Sequence, residues 1–131
     1  INELGTMLLK KGYVKDTYIN AVIERERILP TGLDLGELGV AIPHTDSQHV
    51  NQANIAVGLL KNPIEFSCMV DPTKKIKVQL VFLLAIKNPE KQVELLGKLM
   101  AIFQDIELLK SIQKSTSKEE IAGKLNHLIF K

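Results

Sequence analysis

Two of the three histidines in this chain, His44 and His49, fall in one stretch, Gly39-Val40-Ala41-Ile42-Pro43-His44-Thr45-Asp46-Ser47-Gln48-His49-Val50. An apolar run leads into a proline, and the first imidazole follows at once. A neutral ring nitrogen is a good nucleophile near neutral pH, once a contact to the other nitrogen fixes the tautomer. Pro43 stiffens the backbone ahead of His44, and Gly39 lets the chain turn into the apolar run. His44 is therefore expected to be presented on a rim rather than buried. Thr45, Ser47 and nearby amides suit an anion held on its ring.

Other chemistry is available to the same residues. A loop histidine with only a hydrogen-bonding role is the commoner case, and the residues alone leave that reading open. A metal site would need three or four ligands together. Asp46 is the one evident third ligand beside His44 and His49, and Cys68 is solitary, so no metal is expected. No Gly-x-Ser-x-Gly elbow points to a hydrolase, and no Gly-x-x-x-x-Gly-Lys loop points to a nucleotide. No cofactor is expected.

These side chains need a scaffold, and the pattern supplies one. Leu4, Met7, Leu8 and Leu9 suit a first helix over Glu3 to Lys11, with Gly12 as its stop. Asp16 is placed to cap a second helix that buries Ile19, Val22 and Ile23 and is closed by Pro30. Arg25 and Arg27, the only arginines, fall in or just after its last turn, where the helix dipole favours cations. Residues Pro30 to Gly39 read as a glycine-punctuated loop. Strands are expected at Val40–Ile42, Asn54–Leu60, Phe66–Val70 and Ile76–Ile86, the last ending in a continuous apolar run that suits burial on both faces. Asn88-Pro89 starts a helix that buries Val93, Leu96, Leu99, Met100 and Phe103. A short helix over Ile106–Ile112 follows. Ser117 and Glu120 form a capping box for a last helix that buries Ile121, Leu125, Leu128 and Ile129, with His127 facing solvent. Helices before, between and after strands predict an α/β fold, a mixed β-sheet sandwiched between helices.

The 131 residues suit one compact domain. The chain opens on Ile1 rather than methionine, so residues are expected ahead of it. No signal-peptide pattern opens it, and its longest apolar run is too short to span a bilayer. One cysteine cannot form an internal disulfide, which fits a reducing cytoplasm. Seventeen basic residues offset fifteen acidic ones, aromatics are 5%, and the lysines are scattered. That is not a nucleic-acid surface.

One combination carries more weight than any single motif. Arg25-Glu26-Arg27-Ile28-Leu29-Pro30-Thr31-Gly32 precedes Gly39-Val40-Ala41-Ile42-Pro43-His44-Thr45. This resembles the IIA domains of the fructose–mannitol superfamily of the bacterial phosphoenolpyruvate-dependent sugar phosphotransferase system. In that family Arg-Glu and Pro-Thr-Gly are followed by an apolar strand ending in Pro-His. The resemblance runs over nearly the whole chain and implies a single IIA domain over residues 1–131 with the IIA-like fold. It implies a cytoplasmic phosphotransferase that carries phosphohistidine at His44. The donor would be the phosphohistidine carrier protein of the system and the acceptor a cysteine of a IIB component. The membrane IIC transporter would be an indirect partner. The arginine of Arg-Glu maps to Arg25, whose planar, permanently charged donors suit a phosphoryl group. Many members carry a second histidine at the start of the helix after the central strand, where this chain has Gln92. A glutamine amide can donate to a phosphoryl oxygen but cannot become a cation. With Pro43-His44-Thr45-Asp46 and Gln48-His49-Val50, this departure looks most like the galactitol-type branch. Thr45 and His49 are the remaining candidates to stabilise the phosphoryl group, and for His49 a loop-stabilising role is equally in view. A regulatory relative, acting on partners according to its phosphorylation state, would keep the same His44 and Arg25.

Overall fold

A short helix opens the chain and is stopped by backbone geometry. The computed structural model describes residues 1–114. Helix α1 spans Asn2–Lys10, and Gly12 follows at φ 79°, a left-handed conformation that glycine adopts freely. Tyr13 N–H then bonds back to the Leu8 carbonyl at 3.0 Å, which absorbs one of the orphaned carbonyls. Helix α2 spans Tyr18–Ile28 and ends two residues before Pro30, as expected. Its N-cap is Thr17 rather than Asp16, and no side chain caps it, because the Thr17 hydroxyl is engaged by His49 Nδ1 at 2.8 Å. Its buried residues are Tyr18 and Val22; Ile19 and Ile23 are only half-buried.

The loop expected between Pro30 and Gly39 contains a strand. β1 (Gly32–Asp34) pairs antiparallel with β2 (Gly39–Ala41), in the register Gly32↔Ala41. Three residues punctuated by glycine carry no alternation to read, so this strand exists through its pairing. The two strands expected at Asn54–Leu60 and Phe66–Val70 are one, β3 (Asn54–Ser67), and Met69 and Val70 lie outside it, exposed. The register of β3 against β4 (Lys75–Ala85) shifts between Leu59 and Ile64. That irregularity contains Pro63, which cannot donate to a ladder, so the strand passes a residue that sequence reading takes as a break. The sheet order is β1-β2-β4-β3, with β2 and β4 parallel and the other pairs antiparallel. The fold is α/β with a mixed sheet.

β4 is buried from Leu80 to Ala85 without interruption, which is the signature of a central strand covered on both faces. Leu83 and Ala85 join Leu8 of α1, Tyr18 and Val22 of α2, and Val14, Val50 and Ala56 in one apolar cluster. The Tyr18 hydroxyl donates to the Leu84 carbonyl, so the buried phenol is satisfied and ties α2 to the sheet.

Contacts divide the chain into Ile1–Pro89 and Glu90–Lys131. Helix α3 begins at Pro89, the first-turn position where proline costs nothing, and runs to Phe103 within the second part. Its buried residues are Leu99, Ile102 and Phe103, with Gln92, Leu95 and Leu96 half-buried. Val93 and Met100, expected inside, are 78% and 43% exposed. Apolar residues occupy so much of this helix that two overlapping stripes fit its period, and the one through Gln92 is the one buried. Helix α4 (Ile106–Gln113) is capped by Asp105, whose carboxylate accepts from Leu108 N–H at 3.1 Å. The helix expected from Ser117, and His127 with it, lie outside the described residues.

Two glycines make opposite predictions. A Cβ on Gly39 would lie 2.0 Å from the Lys77 carbonyl oxygen, whereas one on Gly97, within α3, meets nothing within 4 Å. Gly39→Ala is expected to cost about 1–3 kcal/mol or more, since the clash is with backbone. Gly97→Ala is expected to gain roughly 0.5–1 kcal/mol. Urea denaturation of the two variants measures both signs.

Candidate functional site

The site is built on the end of β2. Val40 and Ala41 pair in parallel with Leu80 and Val81, and the association continues beyond the strand, where the Pro43 carbonyl accepts from Leu84 N–H at 3.0 Å. On the other edge, Ile42 N–H donates to the Thr31 hydroxyl at 3.2 Å. The two residues ahead of His44 are thus held from both sides.

His44 is 8% exposed, so it is buried where the sequence reading has it presented. The ring is drawn in by a bond to the backbone two residues back. His44 Nδ1 lies 2.8 Å from the Ile42 carbonyl oxygen. A carbonyl can only accept, so Nδ1 carries the proton and Nε2 keeps the lone pair. Burial pushes the pKa of His44 below its ordinary value; the bond to Ile42 opposes this, the Arg25 charge lowers it further, and Asp46 opposes. The ring is neutral at pH 7, with one nucleophilic nitrogen.

Arg25 sits in the last turn of α2, and its Nε is buried with no hydrogen-bond partner. Its charge acts on both His44 and Glu26. Arg27 is different: it is exposed and paired with Glu24 at 3.0 Å, one turn back along the helix. Such an exposed pair has little energetic weight. The geometry therefore separates two arginines that are two residues apart in sequence.

Two members of the constellation were not singled out as site residues by their types. Glu26 accepts from Thr31 N–H, at 3.1 and 3.0 Å to its two carboxylate oxygens, and also from the Thr31 hydroxyl. Burial raises the Glu26 pKa, while the bonds from Thr31 and the Arg25 charge oppose the shift. The signal available in sequence is a hydroxyl in Pro-Thr-Gly with a carboxylate five residues before it; both residues belong to the family pattern, which gives neither of them a role at the site.

Thr45 is buried beside His44. His49 belongs to a different structure, the 3-10 turn Ser47–His49. Its Nδ1 meets the Thr17 hydroxyl, its Nε2 lies 3.3 Å from Gln48 Nε2, and its carbonyl accepts from Lys15 N–H at 2.9 Å. It fastens the loop to the chain ahead of α2. Gln92 lies in the first part of α3, half-buried on the stripe of Leu95, Leu96 and Leu99. Among the described residues no three histidine, cysteine or acidic side chains are grouped to hold a metal, His44, His49 and Asp46 included. An open concavity lined by Asp34, Glu37, Lys75 and Lys77 lies at the Gly39 end of β2, away from His44. Among the described residues no helix is long and apolar enough to cross a membrane.

Comparison with known proteins gives a consistent answer. The family model for the phosphoenolpyruvate-dependent sugar phosphotransferase system, EIIA 2, matches residues 1–127. The chain is 31% identical over 112 residues to the galactitol-specific EIIA component of the phosphotransferase system of Escherichia coli K12, covering 86% of this chain and 74% of that one. It is 30% identical over 134 residues to a stretch of the transcriptional regulator ManR of Bacillus subtilis, covering 99% of this chain and 18% of the regulator. Among solved structures, the complex of mannitol enzyme IIA with phosphorylated mannitol enzyme IIB from Escherichia coli contains the same fold. Its TM-score is 0.72 at 23% identity, over 95% of this chain and 83% of that one.

The His44 geometry is testable without any partner. In long-range nitrogen–proton NMR spectra the ring is expected as the Nδ1–H tautomer at pH 7, titrating below 6.5. Its folded pKa is depressed, so the unfolded chain takes up the proton first. The associated stability is present above about 6.5 and is lost as pH falls through the folded value. An Nε2–H tautomer, or a titration above 6.5, would contradict the site as drawn.

Proposed function

The chain belongs to the EIIA 2 family of the phosphoenolpyruvate-dependent sugar phosphotransferase system, in the fructose–mannitol superfamily with its galactitol-type branch, and from that premise we propose that His44 is its phosphoryl-carrying residue. A component of this family is a phosphotransferase. The observation that carries the reading is the bond between His44 Nδ1 and the Ile42 carbonyl, which leaves Nε2 unprotonated in reach of the Arg25 charge.

The proposed step is an in-line displacement. The Nε2 lone pair attacks phosphorus on the donor phosphohistidine while the donor's phosphorus–nitrogen bond breaks, its electron pair returning to the donor imidazole. Positive charge grows on the His44 ring, and the Ile42 carbonyl faces the N–H that bears it. Negative charge on the phosphoryl oxygens is offset by Arg25, with Thr45 and the neighbouring amides as further donors. No nucleotide or metal is needed, because positioning and charge compensation supply most of the catalysis of such transfers. The donor is the phosphohistidine carrier protein. The acceptor is a cysteine of a IIB component, by analogy with the mannitol complex; IIB then phosphorylates a polyol such as galactitol as the membrane IIC component, an indirect partner, transports it, and the chain itself acts in the cytoplasm. In this reading residues 1–131 act as one IIA domain, and Gln92 donates an amide hydrogen bond where relatives use a second histidine. His49 acts indirectly, by holding the loop that follows His44.

Incubation with phosphoenolpyruvate, the first enzyme of the system and the histidine carrier is expected to place an acid-labile phosphoryl group on His44. His44→Ala removes it; labelling that persists in that variant sinks the assignment. Arg25→Ala is expected to slow transfer by roughly two to three orders of magnitude. Arg27→Ala, which breaks only an exposed pair, changes it by less than about threefold. A labelled protein that passes phosphate to no cysteine-bearing IIB component, yet binds a regulator or kinase, speaks for the regulatory role instead.

A further inference from the structure

Arg25 and Glu26 are adjacent and opposite in charge, yet they do not form an ion pair. Neighbours on a helix point in different directions, and Glu26 is occupied elsewhere. Both carboxylate oxygens accept from Thr31 N–H, and the Thr31 hydroxyl donates to the same group. That hydroxyl spends its lone pair on Ile42 N–H at 3.2 Å. The Ile42 carbonyl in turn accepts from His44 Nδ1–H at 2.8 Å. A continuous series of bonds therefore runs from a helix carboxylate to the candidate nucleophile through one side chain and one backbone residue. At the near end, Arg25 Nε is left buried and unbonded.

We propose that Glu26, acting through Thr31, is a positioning residue for phosphoryl transfer at His44. The proposal rests on the phosphohistidine reading above. Its physical content is twofold. Thr31 fixes Ile42, so the carbonyl that selects the Nδ1–H tautomer stays in place. Thr31 also holds the Glu26 carboxylate, so that it does not compete with an incoming phosphoryl group for the Arg25 guanidinium.

The test uses Thr31→Val, which keeps shape and backbone N–H but deletes the hydroxyl, and Thr31→Ser, which restores it. Glu26→Gln is the second probe; its amide nitrogen cannot accept from Thr31, and its volume is unchanged, so it serves if Thr31→Val does not fold. Two quantities are read: the His44 tautomer by nitrogen NMR in the unphosphorylated protein, and single-turnover transfer from the phosphorylated histidine carrier. Thr31→Val and Glu26→Gln are expected to lower the saturated rate about tenfold or more, with half-saturating donor changed by less than about twofold. Both are expected to mix the tautomers, while Thr31→Ser stays within about threefold of the parent rate and keeps the Nδ1–H form. Folded Thr31→Val or Glu26→Gln protein with unchanged tautomer and rate overturns the proposal. So does a Thr31→Ser variant as slow as Thr31→Val, or a loss confined to donor affinity. If the unsubstituted protein takes no label on His44, the function reading fails, and the tautomer measurement still tests the bonds from Thr31 to His44.

Discussion

The next rung of the β1–β2 ladder after Gly32↔Ala41 would join Thr31 to Ile42 through their backbones. It is not made that way. Thr31 gives its N–H to Glu26, and Ile42 gives its N–H to the Thr31 hydroxyl, so the Ile42 carbonyl is released from the ladder and accepts from His44 instead. Pro43 contributes by what it lacks: with no N–H it adds no donor to this edge, while its carbonyl still takes Leu84 N–H on the other. A three-residue strand has little stability of its own. β2 takes its position from β4, the buried centre of the sheet, and β4 is in turn tied to α2 through Tyr18 and Leu84. The proposed chemistry depends on where this one strand stops pairing as a strand.

The electrostatics follow from that placement. A buried imidazole resists protonation, and the guanidinium of Arg25 adds like-charge repulsion against an imidazolium. The same positive charge favours a phosphoryl group once it arrives. One residue therefore keeps the nucleophile neutral beforehand and compensates the anion afterwards, under the function proposed. An isolated buried cation carries a desolvation penalty, and a nearby carboxylate would ordinarily relieve it. Here the adjacent carboxylate, Glu26, is bound to Thr31, and the buried Arg25 Nε has no hydrogen-bond partner.

The sequence made much of this visible where local physics decides. Gly12 and Pro30 end the first two helices as their backbone preferences require, and Pro89 starts α3. The continuous apolar run from Leu80 suits a strand buried on both faces, and β4 is buried from Leu80 to Ala85. Elsewhere a distant residue decides. β1 has no pattern of its own and exists because β2 lies opposite. Pro63 looks like a strand break because the register shift that accommodates it involves β4. Asp16 is a good capping type, but Thr17 takes the capping position and spends its hydroxyl on His49. At the site, residue types pointed to His44 as a candidate, and Arg25 came with the family resemblance. They could not reveal the burial of His44 or the part of Thr31, since both depend on how the end of one ladder is closed.

His49 and Gln92 bear on how many protons the site can exchange. His49 has both ring nitrogens engaged, by Thr17 and Gln48, and its place in the fold is the loop that leads away from His44. Gln92 is half-buried on α3, and an amide neither gains nor loses a proton in the ordinary range. Under the proposed function the stabilising charge comes from the Arg25 guanidinium rather than from a second imidazole. Under the proposed function the acid limb of transfer then reports the state of the His44 nucleophile, without a second imidazole to offset it.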